Sequence, residues 1–224
     1  MTDFYEFLSF PLSDKTPTPP AIPAIEIKPF MTLDADGANV SMIKIASHSG
    51  THFDVPIHVV PDSFSLSDFS AWDFFYNHPL VVDLPLGDAA IVTPEDLEKI
   101  PEKGSKADLL LFRFGYGEVR NNDPLRYTTK SPGFGVESAR YIRENFPALR
   151  AIGMDVPSLA CIEYLDKTMA AHNVLLEGEN RRFIVIEDMN LAMNLSGLTT
   201  VIVSPLQVEN IDGCPCTVFG KISR

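Results

Sequence analysis

Apolar residues occur in short runs separated by polar or proline-containing segments, and the period of each run predicts an element. Two runs, 107–112 and 151–156, are apolar almost throughout, which is typical of strands buried on both faces of a sheet. The 25–30 segment alternates apolar and polar residues, as a half-buried strand does. Further strands are predicted over 40–46, 80–84, 182–187, 201–208 and 217–222.

Three segments have the signals of helices. Thr93 precedes a proline and two acidic residues, the order expected at a helix N-terminus. A short helix is therefore predicted from Thr93 to about Ile100. Helical spacing of apolar residues predicts two longer helices, over 136–146 and 168–177.

The remaining segments are irregular in pattern. Four prolines within 17–23 exclude an interior helix there. The polar 118–133 segment is predicted to be a long loop, of the kind that often forms a functional lid. Because helices alternate with apolar strands, the sequence predicts an α/β protein with a mixed sheet, in a single domain spanning 1–224.

Composition and charge narrow the function classes. Hydrophobic residues make up 45% of the chain and charged residues 21%, which is ordinary for a soluble globular protein. The net charge of −12 argues against a nucleic-acid partner, since such a surface needs basic residues to neutralise phosphates.

The cysteines and the absence of long apolar segments bear on the compartment. Cys161, Cys214 and Cys216 are too few for a secreted disulfide framework, which favours a reducing cytoplasm. The last two are expected to be buried, inert thiols in a late strand. Neither a signal peptide nor an apolar stretch of membrane-spanning length is recognised. We therefore expect a cytoplasmic protein with no membrane partner.

The strongest chemical signal is the segment 48–58, His-Ser-Gly-Thr-His-Phe-Asp-Val-Pro-Ile-His, which holds three of the five histidines. In an extended strand His48, His52 and Asp54 would project from one face, because side chains alternate with period two. Imidazole nitrogen and carboxylate oxygen together suit Zn, Mn, Fe or another divalent transition ion. Pro56 is expected to bend the chain, so that His58 approaches from another direction.

This segment resembles the pattern His-x-Gly-Thr-His-x-Asp-x-Pro-x-His of the cyclase-like metal hydrolases. That family includes bacterial kynurenine formamidase (arylformamidase) and isatin hydrolase, and every fixed position of its pattern is filled here. The resemblance implies a swivelling β/β/α fold with a barrel-like sheet and flanking helices. It also implies that the early proline-rich loop borders the substrate pocket. Kynurenine formamidases often carry a Trp in that loop, whereas the only Trp here is Trp72.

The resemblance also implies a second half of the site. The segments around His172 and Glu187 resemble those that hold a late metal-binding His and Glu, with Glu177 as a rival carboxylate. Asp155 and Asp188 are either acids near the site or surface residues. By the resemblance, Asp54 can bridge one ion held by His48 and His52 to another held by His172 and Glu187, although other family members use one ion, often Mn. The expected cofactor is thus Zn or Mn, one or two ions per chain.

These observations lead to two hypotheses about function. The first is a metal-dependent hydrolase that cleaves a C–N amide bond of a small-molecule amide or formamide, most like an arylformamidase and alternatively a cyclic amide or imide hydrolase. Here His58 is the expected proton-transfer residue, since imidazole can titrate near neutrality. The second is a non-catalytic metal- or ligand-binding relative. In either case we expect a homo-oligomer.

Overall fold

A computed structural model describes residues 3–101, 104, 106–178 and 182–223. Its strands are Asp3–Phe7 (β1), Glu26–Met31 (β2), Val40–Lys44 (β3), His52–Asp54 (β4), Phe75–Tyr76 (β5), Pro79–Asp83 (β6), Ile91–Val92 (β7), Leu109–Arg113 (β8), Gly133–Phe134 (β9), Ala151–Met154 (β10), Ile184–Glu187 (β11), Leu198–Pro205 (β12) and Gly213–Ser223 (β13).

The α-helices are short. They are Leu33–Asp36 (α1), Pro94–Leu97 (α2), Gly117–Asn122 (α3), Pro124–Lys130 (α4), Val136–Asn145 (α5), Leu165–Thr168 (α6) and Ala170–Leu176 (α7). Single 3-10 turns cover Pro56–His58, Leu66–Asp68, Ala71–Phe74 and Ile162–Tyr164.

The predicted loop over 118–133 is wrong, because α3 and α4 occupy most of it. Asp123 caps α4 by accepting a hydrogen bond from the backbone N–H of Arg126, and Pro124 stands at the first helical position. This pairing of a capping acid with proline is a start signal within a polar sequence. The helices are polar on the outside, and their apolar spacing is too sparse to stand out.

The main sheet is mixed and almost closes on itself, as the predicted fold class requires. Its strand order is β5-β12-β13-β4-β11-β10-β8-β6, and β1 pairs with the far part of β13. The strands β6, β8, β10 and β11 are parallel to one another, whereas β4, β12 and β13 pair antiparallel. The end strands β5 and β6 follow each other in the chain, joined only by residues 77 and 78. The result is a barrel-like α/β fold.

Each side of the parallel strands faces a separate hydrophobic core. Along β8, Leu110 and Phe112 belong to the core under α5 and α7. Leu109 and Leu111 belong to the second core, inside the curved sheet. All four are fully buried, so the continuous apolar run reflects a strand covered on both faces.

One predicted strand differs in its burial. The 25–30 segment forms β2, which pairs with β3 in a separate two-stranded sheet. Ile27 is 41% exposed and Phe30 is 66% exposed, so the alternation there does not mark a half-buried strand. The prediction of a strand is confirmed, and the prediction of its burial is wrong for the isolated chain.

Two further features are the length of the helices and the state of the cysteines. Among the helices of the described ranges, none is long and apolar enough to cross a bilayer. The three cysteines are free thiols; Cys161 and Cys214 are buried, and Cys216 is half-buried. Burial raises the pKa of Cys214 to about 11, which fits the expectation of an inert thiol.

Candidate metal centre

Three neighbouring strands bring the chemistry-bearing residues together. β4 lies between β11 and β13, and its register places His52 opposite Glu187. Asp54 pairs in the same ladders with Val185 on one side and Gly213 on the other. The strand that carries His52 and Asp54 therefore runs through the centre of the sheet, where all three of its residues are buried.

His48 reaches the site by a different route from the predicted one. β4 begins only at His52, and residues 47–51 form a turn in which Gly50 has φ +63°. That conformation favours glycine, and a Cβ at Gly50 would also meet the side chain of Leu12 at 2.3 Å. The prediction that His48, His52 and Asp54 share one strand face is thus correct for the last two and wrong for His48, which the turn folds back.

His52, His172 and Glu187 meet at a buried point. His52 Nδ1 is 2.8 Å from the carbonyl oxygen of Gly50, so an N–H there leaves Nε2 free to bind. Nε2 lies 3.1 Å from Glu187 Oε2, and His172 Nε2 lies 3.4 Å from Glu187 Oε1. His172 is presented by α7, and its side chain is only 3% exposed. The sequence-predicted residues from both halves of the chain are therefore adjacent.

Asp54 lies between His48 on one side and His52 and His172 on the other. Its Oδ1 is 2.8 Å from His48 Nδ1 and 3.7 Å from His52 Nε2, and its Oδ2 is 3.7 Å from His172 Nε2. Each oxygen thus faces a different group of nitrogens. Such a carboxylate could serve two ions, but His52, which the resemblance groups with His48, lies nearer to Glu187, at 3.1 Å from its Oε2.

The donor set fits a divalent metal ion. Asp54 Oδ2 is buried and makes no hydrogen bond within the described chain, and the contact of buried His52 Nε2 with Glu187 Oε2 at 3.1 Å lacks hydrogen-bond geometry. Leaving such atoms buried is costly unless something binds them. Two ligands about 2.1 Å from a tetrahedral ion lie roughly 3.4 Å apart, and the contacts among these donors, excluding the His48–Asp54 hydrogen bond, span 3.1 to 3.7 Å. Nitrogen and oxygen ligands in this combination suit Zn or Mn.

The pKa shifts of the clustered side chains also favour a bound cation. Burial disfavours the charged ring of His48, but hydrogen bonds and the charges of Asp54 and Asp212 outweigh it and raise its pKa to about 9. For His52 and His172, burial is likewise outweighed, chiefly by Glu187, and their pKa is raised. Burial alone would raise the pKa of Glu187, yet these two histidines hold it below its usual range. The carboxylates therefore favour positive charge at this point, which a bound cation would supply.

His58 lies at the edge of this cluster. The 3-10 turn that begins at Pro56 carries it round, so that its ring centroid is 4.1 Å from that of His48 and 5.9 Å from that of His172. Its side chain is 21% exposed. Donor atoms of His48, Asp54 and His58 all lie within 4.8 Å of one another, so position alone allows His58 to act either on substrate or as a ligand.

Asp212 is the residue that sequence reasoning missed. Its Oδ2 is 2.7 Å from His48 Nε2 and 3.4 Å from His58 Nδ1. It precedes β13 and lies far from the motif in sequence. The polar turn around it contains another acid, Glu209, so no local pattern distinguishes Asp212. The pairing of Gly213 with Asp54 brings it to the site.

Asp155 and Asp188 are buried acids beside the site, not surface residues. Asp188 follows Glu187 and accepts hydrogen bonds from Arg120 Nε and Nη2 at 2.6 and 2.8 Å and from the Tyr127 hydroxyl at 2.6 Å. Asp155 accepts from three successive backbone N–H groups, of residues 114–116, ahead of α3. Together they attach α3 and α4 to the ends of β10 and β11, the second of which carries the candidate ligand Glu187.

A cavity of about 330 Å³ opens onto the cluster. Its polar wall consists of the five predicted ligands, His58 and Ser158, and its apolar wall consists of Pro19, Pro20, Ala21, Ile22, Pro157, Ile162, Leu165 and Met169. The proline-rich loop borders this pocket, as the resemblance implies. Glu177, the rival carboxylate, is exposed and lines a separate cleft with residues 60–64.

A protein-family model matches more than half of the chain. Residues 7–160 match the family model described as "Putative cyclase", named Cyclase. The matched region includes the whole 48–58 motif and ends before His172 and Glu187. The chain belongs to this cyclase family.

Particular relatives and a solved structure extend the match. Cyclase-like protein 1 of Arabidopsis thaliana is 30% identical over 182 residues, which cover 80% of this chain and 68% of that protein. A kynurenine formamidase of Bacillus cereus is 26% identical, over 81% of this chain and 79% of the relative. The structure of an isatin hydrolase bound to the product analogue thioisatinate superposes with a TM-score of 0.85 at 17% identity, covering 99% of this chain and 93% of the other. At that identity the superposition shows the fold.

Proposed function

We propose that this protein is a metal-dependent hydrolase that cleaves a C–N amide bond in a small molecule. The observation that carries the proposal is the cavity in which the buried His/Asp/Glu cluster and His58 face an apolar wall. His48, His52, Asp54, His172 and Glu187 would hold one or two divalent ions. When bound, such an ion lowers the pKa of water from 15.7 to about 7 and polarises a carbonyl oxygen.

His58 is proposed to move the proton in this reaction. Water adds to the amide carbon, its proton passes to a ring nitrogen of His58, and the same proton is returned to the nitrogen as the C–N bond breaks. The products are then an amine and a carboxylic acid. Imidazole suits both transfers because its ordinary pKa lies near neutrality. The position of its ring, with the centroid 4.1 Å from that of His48 and 5.9 Å from that of His172, supports this role.

Two substrate types are supported by different observations. An N-formyl arylamine is supported by the kynurenine formamidases among the relatives. A cyclic aryl amide is supported by the isatin hydrolase likeness together with the lining: among the described residues around the cavity there is no Lys or Arg to pair with an amino-acid carboxylate. The apolar wall suits a flat, neutral ring in either case.

The test is hydrolysis of N-formyl-L-kynurenine and of isatin by the purified chain, followed spectroscopically with and without EDTA. We expect turnover of at least one substrate, loss of turnover on chelation and recovery when Zn²⁺ or Mn²⁺ is restored. His52→Ala should abolish turnover, and His78→Ala, which changes an exposed histidine outside the cluster, should not. Turnover that survives complete metal removal would contradict the proposal, as would no turnover of either substrate by a metal-loaded protein.

A further inference from the structure

Asp212 contacts the metal centre through His48, in a way that the ligand set does not explain. His48 is engaged at both ring nitrogens, by Asp54 Oδ1 at 2.8 Å on Nδ1 and by Asp212 Oδ2 at 2.7 Å on Nε2. Both partners are carboxylate oxygens, which accept hydrogen bonds. A neutral imidazole has only one N–H to donate, so one of the two contacts must change when a cation binds the ring.

The geometry shows which nitrogen is turned toward the cluster. Nδ1 faces Asp54, whose Oδ1 also lies 3.7 Å from His52 Nε2. Nε2 points the other way, toward the loop before β13. A cation held with Asp54 and His52 would therefore take Nδ1, and the remaining N–H on Nε2 would stay directed at Asp212.

The position of Asp212 is fixed by the backbone. Its carbonyl oxygen accepts a hydrogen bond from the N–H of Val55 at 3.1 Å. Gly213 packs so closely that a Cβ there would lie 2.3 Å from the carbonyl oxygen of Phe53 and 3.1 Å from His48 Cε1. These backbone contacts thus hold Asp212 beside the ring of His48.

We propose that Asp212 is a positioning residue of the metal centre, forming an Asp212–His48–metal triad in which its carboxylate accepts from Nε2–H and leaves Nδ1 to bind the ion. Carboxylates placed in this way fix the tautomer and orientation of a ligand histidine and raise its basicity. The same oxygen lies 3.4 Å from His58 Nδ1. Asp212 therefore also favours a proton on that nitrogen, with the other ring nitrogen of His58 free to accept one.

This inference rests on the proposed metal centre, and it can be tested without turnover. The Zn²⁺ dissociation constant of the full chain is measured by competition with a chromogenic chelator for wild type, Asp212→Ala, Asp212→Asn and Glu209→Ala. Glu209 is an exposed acid in the same loop and serves as the matched control. Long-range ¹H–¹⁵N NMR spectra of the Zn-loaded wild type report which nitrogen of His48 carries the proton.

We expect His48 to be the Nε2–H tautomer in the Zn-loaded wild type. Asp212→Ala should weaken Zn²⁺ binding by about 10–100-fold, the usual effect of losing such a partner. Asp212→Asn keeps an acceptor oxygen of the same shape without the charge, so it should preserve the fold and fall between Ala and wild type. Glu209→Ala should bind as wild type does.

Two results would overturn the inference. One is a proton on Nδ1 of His48 in the Zn-loaded protein, and the other is equal Zn²⁺ affinity in Asp212→Ala and Glu209→Ala. A wild type that binds Zn²⁺ as described but hydrolyses no amide would contradict the proposed function and leave this inference standing.

Discussion

At the scale of single residues, His58 is the side chain whose role decides the mechanism. Its ring lies at the edge of the cluster, 4.1 Å from that of His48 and 5.9 Å from that of His172 between centroids, and its side chain is 21% exposed. We expect His58→Ala to keep its fold and metal content and to lose about 10²–10⁴-fold in kcat, the usual contribution of a general acid–base group. Steady-state kinetics and elemental analysis of the same preparation measure both.

The alternative role gives a different pattern. If His58→Ala loses bound metal together with activity, His58 is a ligand. Full activity in this variant would refute the proposed proton transfer. His78→Ala controls for the loss of a histidine elsewhere in the chain.

The histidines also predict a pH dependence of stability in the metal-free protein. The pKa of His48 is raised to about 9 from 6.5, so the folded state holds this proton more tightly than the unfolded chain does. Its contribution is fully present below pH 6.5 and is lost as pH rises through about 9. For a shift of this size the contribution is on the order of 3 kcal/mol.

Urea unfolding of the EDTA-treated chain at pH 6 and pH 9.5 measures this effect. We expect a lower free energy of unfolding at the higher pH, and a smaller difference in His48→Ala. A wild-type difference equal to that of His48→Ala would show that His48 does not gain a proton on folding.

At the scale of elements, the buried pair of Arg120 on α3 and Asp188 after β11 connects the helices to the site. Removing one partner of a buried ion pair leaves the other charge buried and unpaired, which typically lowers the free energy of unfolding by about 3–5 kcal/mol. We expect Arg120→Ala to destabilise the fold by this amount in urea unfolding. It should also weaken metal binding, because Asp188 adjoins Glu187.

Arg126→Ala is the matched control. Arg126 pairs with Asp88 at the surface, where the two side chains are 47% and 42% exposed, and exposed pairs contribute about 0–1 kcal/mol. Equal destabilisation by the two variants would contradict the role given to the buried pair.

The same elements show what the sequence can predict. The runs 107–112 and 151–156 lie at β8 and β10, because a strand covered on both faces leaves an unbroken apolar signature. The helices α3 and α4 were missed, because their stability comes from contacts such as that of Tyr127 with Asp188, which are distant in sequence. Capping by Asp123 was the local clue.

The candidate site likewise has one part that the sequence predicts and another part that it does not. The 48–58 motif is local, so its chemistry can be read from the sequence, and the family resemblance pointed to His172 and Glu187. The route of His48 into the site depends on a turn at Gly50, and the place of Asp212 depends on strand pairing. Neither feature produces a hydrophobic period or a residue spacing from which it could be predicted.

At the scale of the whole molecule, the candidate ligands come from β4, α7 and β11, so we expect metal binding to require the complete fold. A ligand that binds only the folded state stabilises it by about 4 kcal/mol at a thousandfold excess over Kd. We expect EDTA to lower the thermal midpoint of the wild type and to leave that of His52→Ala unchanged. Differential scanning calorimetry measures both, and an equal effect of EDTA on the two proteins would argue against a specific centre.

The expected homo-oligomer stays a prediction at this scale. The β2–β3 hairpin exposes Ile27, Phe30, Met42 and Ile43 in the isolated chain. Size-exclusion chromatography with light scattering gives the mass in solution, and a mass of 24.8 kDa would refute the expectation.

The pairing of His52 with Glu187 across β4 and β11 has a consequence for how the chain reaches its native state. Side chains alternate between the faces of a sheet, so a slip of one residue in this pairing would turn one ligand away from the other. Residues 135 positions apart in the chain must therefore find one alignment before a cation can be held. We expect a mispaired chain to form backbone hydrogen bonds but to bind no metal at this site, so metal uptake would distinguish correctly aligned molecules from misaligned ones.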